Sequence, residues 1–355
     1  MPVQYYPLKV IKKEFETEKT CSFYFEVPEQ HKALFTYKTA QFLTFRFLIE
    51  GKEYVRSYSI ASSPFLEESL RTTVGQVKDG IVSNYLLSHI KEGDQIESQA
   101  PLGEFFQLPK SLKSKDFILF SAGIGITPLF SILKTALSAH LANKVYLIFS
   151  ISNLNHWIYQ KELKLLEEQF KEQLIIKLIL SQKEGRLDNK KLQQILETLN
   201  LKESLFYLCG PKDYMKMISE CLLKSEVKKE HIHTEDFKII PQRGPKPDEN
   251  SVFFNANQAP SAEPKILKTT LNGEILEIPL NREKSLLEQL IDQGYNPPFS
   301  CTSGSCMTCM AKLKEGKVFQ LEEGILDEEN IKNLEILTCQ CYPLSETVSI
   351  DYDNL

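Results

Sequence analysis

The sequence has no uninterrupted apolar run long enough to cross a bilayer. Its most apolar stretch, 117–142, is broken by Gly123, Gly125, Pro128 and Lys134, and reads as strand, loop and helix. Positive charge is not in surplus either. The 42 Lys and Arg face 47 Asp and Glu, a formal net of −5, which argues against a general nucleic-acid binder. Glycine (15) and proline (17) are not enriched and 42% of residues are hydrophobic, so collagen-like, low-complexity and wholly disordered chains are excluded. The opening Met1-Pro2-Val3-Gln4-Tyr5 lacks a basic-then-apolar leader, and eight cysteines in 355 residues are too sparse for a disulfide scaffold. The expectation is a cytoplasmic protein whose cysteines are thiols or metal ligands. The six histidines show no metal spacing, and the nearest pair, His231 and His233, reads as solvated.

What is present is length for two or three domains at roughly 100–200 residues each. Residues 1–110 carry short β-rich runs such as 22–27 and 42–47, which predict an antiparallel β-barrel. From 111 to 238 the rhythm changes. Continuous apolar strands at 117–120, 145–149, 174–180 and 205–208 alternate with helical patterns at 128–140, 159–170, 189–199 and 212–224, which predicts an α/β, doubly wound parallel sheet. Residues 239–263 are proline-rich and read as an extended linker. The last unit, 264–355, opens with a hairpin signal, strands 266–271 and 274–279 around Asn272-Gly273, followed by a helix at 285–293 stopped by Gly294. It is also acidic: from 264 onward 8 Lys and Arg meet 15 Asp and Glu, a net of −7. Glu322, Glu323, Asp327, Glu328 and Glu329 form its densest acidic run, which reads as a solvated loop or a docking surface for a basic partner.

Cys301, Cys306 and Cys309 are spaced C-x4-C-x2-C, with Cys339 and Cys341 further on. Three cysteines on one loop plus a distant fourth is the plant-type pattern for a [2Fe–2S] cluster. Ser303, Gly304 and Ser305 are small enough for backbone N–H groups to point at the sulfurs. Structural zinc is the alternative, although paired C-x2-C knuckles are its usual form. Cys339 and Cys341 would share a face if both lay in a strand. Cys21 and Cys221 read as inert thiols.

Three further segments carry chemistry. Arg56-Ser57-Tyr58-Ser59 offers a guanidinium, an aromatic ring and hydroxyls in one strand. Val77-Lys78-Asp79-Gly80-Ile81-Val82-Ser83-Asn84 places glycine at a helix start. Ser121-Ala122-Gly123-Ile124-Gly125-Ile126-Thr127-Pro128 follows an apolar strand and opens a helix, the context in which glycines let a backbone approach a pyrophosphate. There Thr127 is expected to cap and Pro128 to fit the first turn.

Together these segments make the whole chain resemble the ferredoxin–NADP reductase superfamily. The resemblance is to reductase components of bacterial oxygenases with a C-terminal plant-type ferredoxin, of the phenylacetyl-CoA epoxidase reductase type. It implies a β-grasp fold for the last unit, with Cys301, Cys306, Cys309 and Cys339 as cluster ligands, since Leu337-Thr338-Cys339 is similar to the family's fourth-ligand segment. It implies FAD held by Arg56 at the pyrophosphate, Tyr58 on the isoalloxazine and Ser59 at N5, with Val77, Lys78, Gly80 and Ser83 around the pyrophosphate. It further implies NAD(P)H at Gly123, Gly125, Thr127 and Pro128, with Cys209, Gly210 and Pro211 beside the nicotinamide, and Glu235 and Phe237 near the flavin. Thr39-Ala40-Gln41 departs from the family's Pro-Gly-Gln. The implied function is electron transfer from NAD(P)H through FAD and [2Fe–2S] to a protein acceptor, an oxygenase or hydroxylase component. A hybrid-cluster protein or diffusible carrier as acceptor, or a non-catalytic relay role, are the other readings. The loop at 150–155 carries neither the acid that reads a 2′-hydroxyl nor the arginine that reads a 2′-phosphate, so NADH against NADPH stays open, with Lys183 or Arg186 available from the next loop.

Overall fold

Along 20–26, Cys21, Phe23 and Phe25 alternate with more polar neighbours, and Leu43, Phe45 and Phe47 do the same along 42–49. The period of two sends all six into one core. The computed structural model that shows this describes residues 4–106, 115–235, 237, 251–255, 263–299, 302, 304, 306–321 and 326–355. It divides into two compact units, Tyr5–Phe237 and Lys238–Leu355.

The first unit begins with six antiparallel strands: β1 (Tyr6–Thr17), β2 (Thr20–Glu26), β3 (Phe42–Ile49), β4 (Lys52–Ser59), β5 (Leu70–Gly75) and β6 (Gln95–Ser98). Helix α1 (Ile81–Ser88) precedes β6. Their order is β4-β3-β6-β1-β2-β5. The ends of that order meet, because Ile60 bridges to Thr72 and the Ala61 N–H donates to the Arg71 carbonyl at 2.7 Å. The antiparallel barrel is therefore closed.

A parallel sheet follows, built from β7 (Asp116–Ala122), α2 (Ile126–Ser138), β8 (Val145–Ile151), α3 (Gln160–Gln169), β9 (Leu174–Leu180), α4 (Ser181–Glu184), α5 (Asn189–Leu196), β10 (Ser204–Cys209), α6 (Lys212–Lys224) and β11 (Ile232–Glu235). Its order is β11-β10-β7-β8-β9. Along β7, Phe117 and Leu119 enter one core while Ile118 and Phe120 enter another, on the opposite face. That two-sided burial is why the strand is apolar without alternation. The chain runs from β7 outward in one direction and later returns on its other side, so the switch point lies between the carboxyl ends of β7 and β10.

Barrel and sheet share a core in which Ala40, Ala61 and Phe106 pack with Leu129, Phe130 and Leu133. A charged network runs through the same interface. Arg71 of β5, only 1% exposed, donates through Nη1 to both carboxylate oxygens of Glu162 (2.8 and 3.0 Å) and through Nη2 to Glu16 (2.9 Å). Its guanidinium lies 4.5 Å from the Tyr159 ring, which stacks on Phe130 at 4.3 Å. The Tyr159 hydroxyl donates to Thr73 at 2.6 Å. Lys134 of α2 pairs with Glu68 at 2.6 Å, and Ala40, in the left-handed region at φ 59°, donates its N–H to Ser131 Oγ.

The second unit holds β12 (Val252–Phe254), β13 (Ile266–Leu271), β14 (Glu274–Pro279), α7 (Leu286–Asp292), β15 (Met310–Glu315), β16 (Val318–Gln320), α8 (Glu328–Lys332), β17 (Glu335–Leu337), β18 (Cys341–Pro343) and β19 (Thr347–Asp351). A five-stranded sheet, β14-β13-β19-β15-β17, is joined by a three-stranded one, β12-β16-β18. The hairpin turn falls on Asn272 and Gly273, both at positive φ, and a reciprocal Ser285–Glu288 capping box starts α7. One expectation needs correcting. The linker assigned to 239–263 contains β12, whose Phe253 packs on Phe319, so 252–254 belong to the three-stranded sheet of the second unit. Among the described residues, no helix is long and apolar enough to cross a membrane.

Arg71→Met would strand the Glu16 carboxylate, mostly buried, beside Glu162 with no cation between them. We expect a loss of about 3–5 kcal/mol in urea unfolding, with Arg71→Met/Glu16→Gln/Glu162→Gln recovering much of it. A single variant as stable as the parent would show the network to be without structural weight.

Candidate functional site

The switch point is built by two close-packed turns. At the end of β7, Gly123 takes φ 56°, and Gly125 lies so near β10 that a Cβ there would sit 2.3 Å from the Cys209 carbonyl oxygen and 2.9 Å from Gly210 N. Cys209, fully buried, is in register with Ser121 on one side and Glu235 on the other. The Ser121 hydroxyl is buried with no hydrogen-bond partner among the described residues. Tyr214, from α6, donates its hydroxyl to the Ser121 carbonyl at 3.1 Å. Helix α2 has Gly125 as its N-cap and no side-chain cap; the Ile126 N–H is taken by the tight turn at Gly123–Gly125, and the N–H groups that follow it in the first turn face no capping side chain. Thr127 therefore does not cap as expected. It lies inside the first turn and donates to the Ile124 carbonyl at 2.8 Å, with Pro128 buried behind it. A cradle that a single Cβ would fill, beside an orphaned hydroxyl and an open helix start, suits a dinucleotide.

Strand β4 presents Arg56, Tyr58 and Ser59 opposite Phe45, Leu43 and Phe42 of β3. Arg56 is exposed, with Nη1 donating to the Val55 carbonyl at 2.7 Å. Tyr58 packs 6.1 Å from Phe45, and burial pushes its hydroxyl pKa up. Ser59 is buried. In the next segment Val77 and Lys78 are exposed, and Gly80 caps α1 without a side-chain bond. A Cβ on Gly80 would meet Ser83 Oγ at 2.7 Å and Val77 Cβ at 2.9 Å. Ser83 is not directed outward as the resemblance implied. Its hydroxyl accepts from Val77 N–H (3.1 Å) and donates to the Gly80 carbonyl (3.3 Å), bracing the loop from inside. The two binding segments meet where Gly75, ending β5, faces Ile124, with 3.4 Å between an added Cβ and Ile124 Cγ1. Ile124, Tyr214 and Ser121 carried no residue-type signal in the sequence. Glu235 ends β11 beside Cys209, half-buried, and Phe237 is 40% exposed.

In the second unit Cys301, Ser303 and Ser305 lie outside the described residues, as do Glu322 and Glu323. Cys306 is half-buried, while Cys309 and Cys339 are buried. Thr338 ties two of these segments together. Its N–H and its hydroxyl both donate to the Cys309 carbonyl (3.2 and 2.8 Å), and it accepts from the Tyr352 hydroxyl at 2.8 Å. Gln340 donates through Nε2 to the Thr302 carbonyl at 2.8 Å and packs on Gly304, φ 77°. The cysteine loop and the segment of Cys339 are thereby held face to face. Cys339 lies in a turn, not in a strand with Cys341, so the expected sharing of a face does not arise. The Cys341 thiol, fully buried, instead donates to Gln320 Oε1 at 3.3 Å, and burial pushes its pKa up. Gln320 also accepts from Leu337 N–H at 2.8 Å. The thiol-rich donor set suits an iron–sulfur cluster.

Other expectations resolve locally. Cys21 is fully buried, its thiol pushed up to about 11 by burial, and Cys221 is buried on α6. His231 and His233 are not solvated. His233 stacks on Tyr207 at 4.8 Å and His231 lies 3.0 Å from Lys115 Nζ, and burial lowers both pKa values. In the acidic run, Asp327 caps α8 by accepting from Asn330 N–H, while Glu328 and Glu329 are exposed.

Comparison with known proteins agrees with this architecture. Residues 7–107 match the oxidoreductase FAD-binding domain family, 119–220 the oxidoreductase NAD-binding domain family and 269–344 the 2Fe-2S iron-sulfur cluster binding domain family. The ferredoxin reductase component of 3-ketosteroid-9-alpha-monooxygenase from Rhodococcus rhodochrous is 32% identical, covering 95% of this chain and 94% of that one. One component of the 1,2-phenylacetyl-CoA epoxidase of Escherichia coli is 27% identical over 98% of both chains. Phthalate dioxygenase reductase superposes with a TM-score of 0.63 at 22% identity, covering 98% of both chains, a likeness of fold.

The different surroundings of Cys339 and Cys341 give a direct test. Cys339→Ser should purify without the visible cluster absorption and with little iron, whereas Cys341→Ser should keep both. The reverse pattern would transfer the fourth ligand to Cys341.

Proposed function

Since the chain belongs to the ferredoxin reductase components of oxygenases, we propose that its acceptor is an oxygenase or hydroxylase component that docks on the acidic ferredoxin unit. The protein is an oxidoreductase of the FAD, NAD(P)H and [2Fe–2S] type. When bound, these groups supply hydride and single-electron chemistry that no side chain can. The protein's own part is placement. The observation that carries the reading is the approach of Gly125 to Cys209, which opens a backbone cradle where the α2 N–H groups can hold a pyrophosphate and the buried Cys209 can border the nicotinamide. Gly75 against Ile124 then sets the Val77–Gly80 loop beside that cradle, so a flavin held by Arg56, Tyr58, Ser59 and the start of α1 lies within reach. Proton transfer by a side chain is not required for hydride exchange, which accounts for a site without an acid–base pair.

For the cluster we assign Cys301, Cys306, Cys309 and Cys339. Support comes from Thr338, which locks Cys309 to the Cys339 segment, and from Gln320, which holds the Cys341 thiol elsewhere. We place the protein in the cytoplasm, where its cysteines stay reduced and available to a metal. Docking of the acceptor is assigned to the net −7 carried from residue 264 onward, with Glu328 and Glu329 exposed at the start of α8.

Anaerobic NAD(P)H should bleach both flavin and cluster absorption in the purified protein, and a spectrum left unchanged would end this reading. Added salt should slow reduction of the oxygenase component while leaving ferricyanide reduction flat. Equal salt sensitivity of the two would remove the docking assignment.

A further inference from the structure

The carboxyl end of β8 is where a doubly wound sheet meets the second ribose of a dinucleotide, and a carboxylate there accepts from the ribose hydroxyls when the nucleotide is unphosphorylated. No Asp or Glu occurs in 150–160, and the first one, Glu162, is committed to Arg71. The groups that do gather there are neutral donors and cations. His156, exposed, has Nδ1 2.9 Å from Ser152 Oγ and 3.0 Å from Asn153 Oδ1, which fixes the ring and leaves Nε2 outward. Asn153 donates through Nδ2 to Gln182 at 2.9 Å, and Gln182 N–H donates to the Ser152 carbonyl at 3.0 Å, so the start of α4 is tied to the same loop. Next to Gln182 on α4 is Lys183, and Arg186 follows just beyond that helix; both side chains are exposed and neither pairs with a carboxylate among the described residues. The two nearby acids each accept one backbone bond. Glu184 accepts from Leu180 N–H at 2.8 Å and Asp188 from Lys191 N–H at 2.9 Å.

We propose that this chain selects NADPH over NADH, with the His156 imidazolium donating through Nε2 to the 2′-phosphate and Lys183 and Arg186 adding charge. The proposal rests on the nicotinamide reading above. A dianionic phosphate gains donors and cations in this loop, whereas residues 150–160 supply no carboxylate to accept from a ribose diol.

The probes are 2′,5′-ADP and 5′-ADP, titrated into the flavin-loaded protein by calorimetry. Emission of Trp157, the sole tryptophan and the neighbour of His156, gives a second signal. The expected result is 2′,5′-ADP binding roughly ten- to a hundredfold tighter, the size of one charge-assisted hydrogen bond. His156→Ala and Lys183→Met/Arg186→Met should each shrink that ratio through weaker 2′,5′-ADP binding. Equal affinities in the parent protein, or a ratio unmoved in both variants, would overturn the assignment while leaving the nucleotide site standing. Failure of both probes to bind would instead bring down the nucleotide reading on which it depends.

Discussion

One buried guanidinium governs how the barrel meets the parallel sheet. Arg71 is enclosed by Glu16 of its own barrel, Glu162 of α3 and the ring of Tyr159, and without it the mostly buried Glu16 carboxylate would have no cation beside it. The geometry of the site follows from that enclosure. Tyr159 and Glu162 directly succeed the loop at the carboxyl end of β8, and Arg71 sits on the strand whose end, Gly75, abuts Ile124. The loop after β8 and the end of β5 are thus fixed to a common anchor. A more plastic apolar interface would tolerate slippage between the two. A bidentate ion pair does not, because its hydrogen bonds are lost within a fraction of an ångström.

Much of this was legible in the residues. The two-sided burial of β7 is written in its unbroken Phe117–Phe120 run, the hairpin of β13 and β14 in Asn272-Gly273, and the start of α7 in Ser285 and Glu288. What escaped was whatever depended on contact between distant segments. Ser83 and Thr127 looked like ligand-facing hydroxyls because residue type and position allow it, yet each satisfies a backbone carbonyl of its own loop. His231 and His233 looked solvated because nothing nearby in sequence announces Tyr207 or Lys115. Arg71 was silent for the same reason: its partners, Glu16 on one side and Tyr159 and Glu162 on the other, come from two distant stretches of chain.

The choice between two neighbouring thiols shows the same division. Spacing offered Cys339 and Cys341 as equals. The fold separates them through a buried amide, since Gln320 takes the Cys341 thiol hydrogen and the Leu337 N–H together, while Thr338 and Gln340 tie the Cys339 turn to the cysteine loop. A side chain between the two thirds of a motif, not the motif itself, distinguishes them.

The short strand Val252–Phe254 redraws where the ferredoxin begins as an inheritable piece. Its Phe253 covers Phe319, which stacks on Tyr342 two strands away. A transplant that started at the hairpin would carry its cysteines intact but arrive with the Phe319 ring uncovered on one side and one sheet a strand short. The transferable module therefore begins no later than Val252, and the segment that reads as mere tether carries part of the wall of the room it leads to.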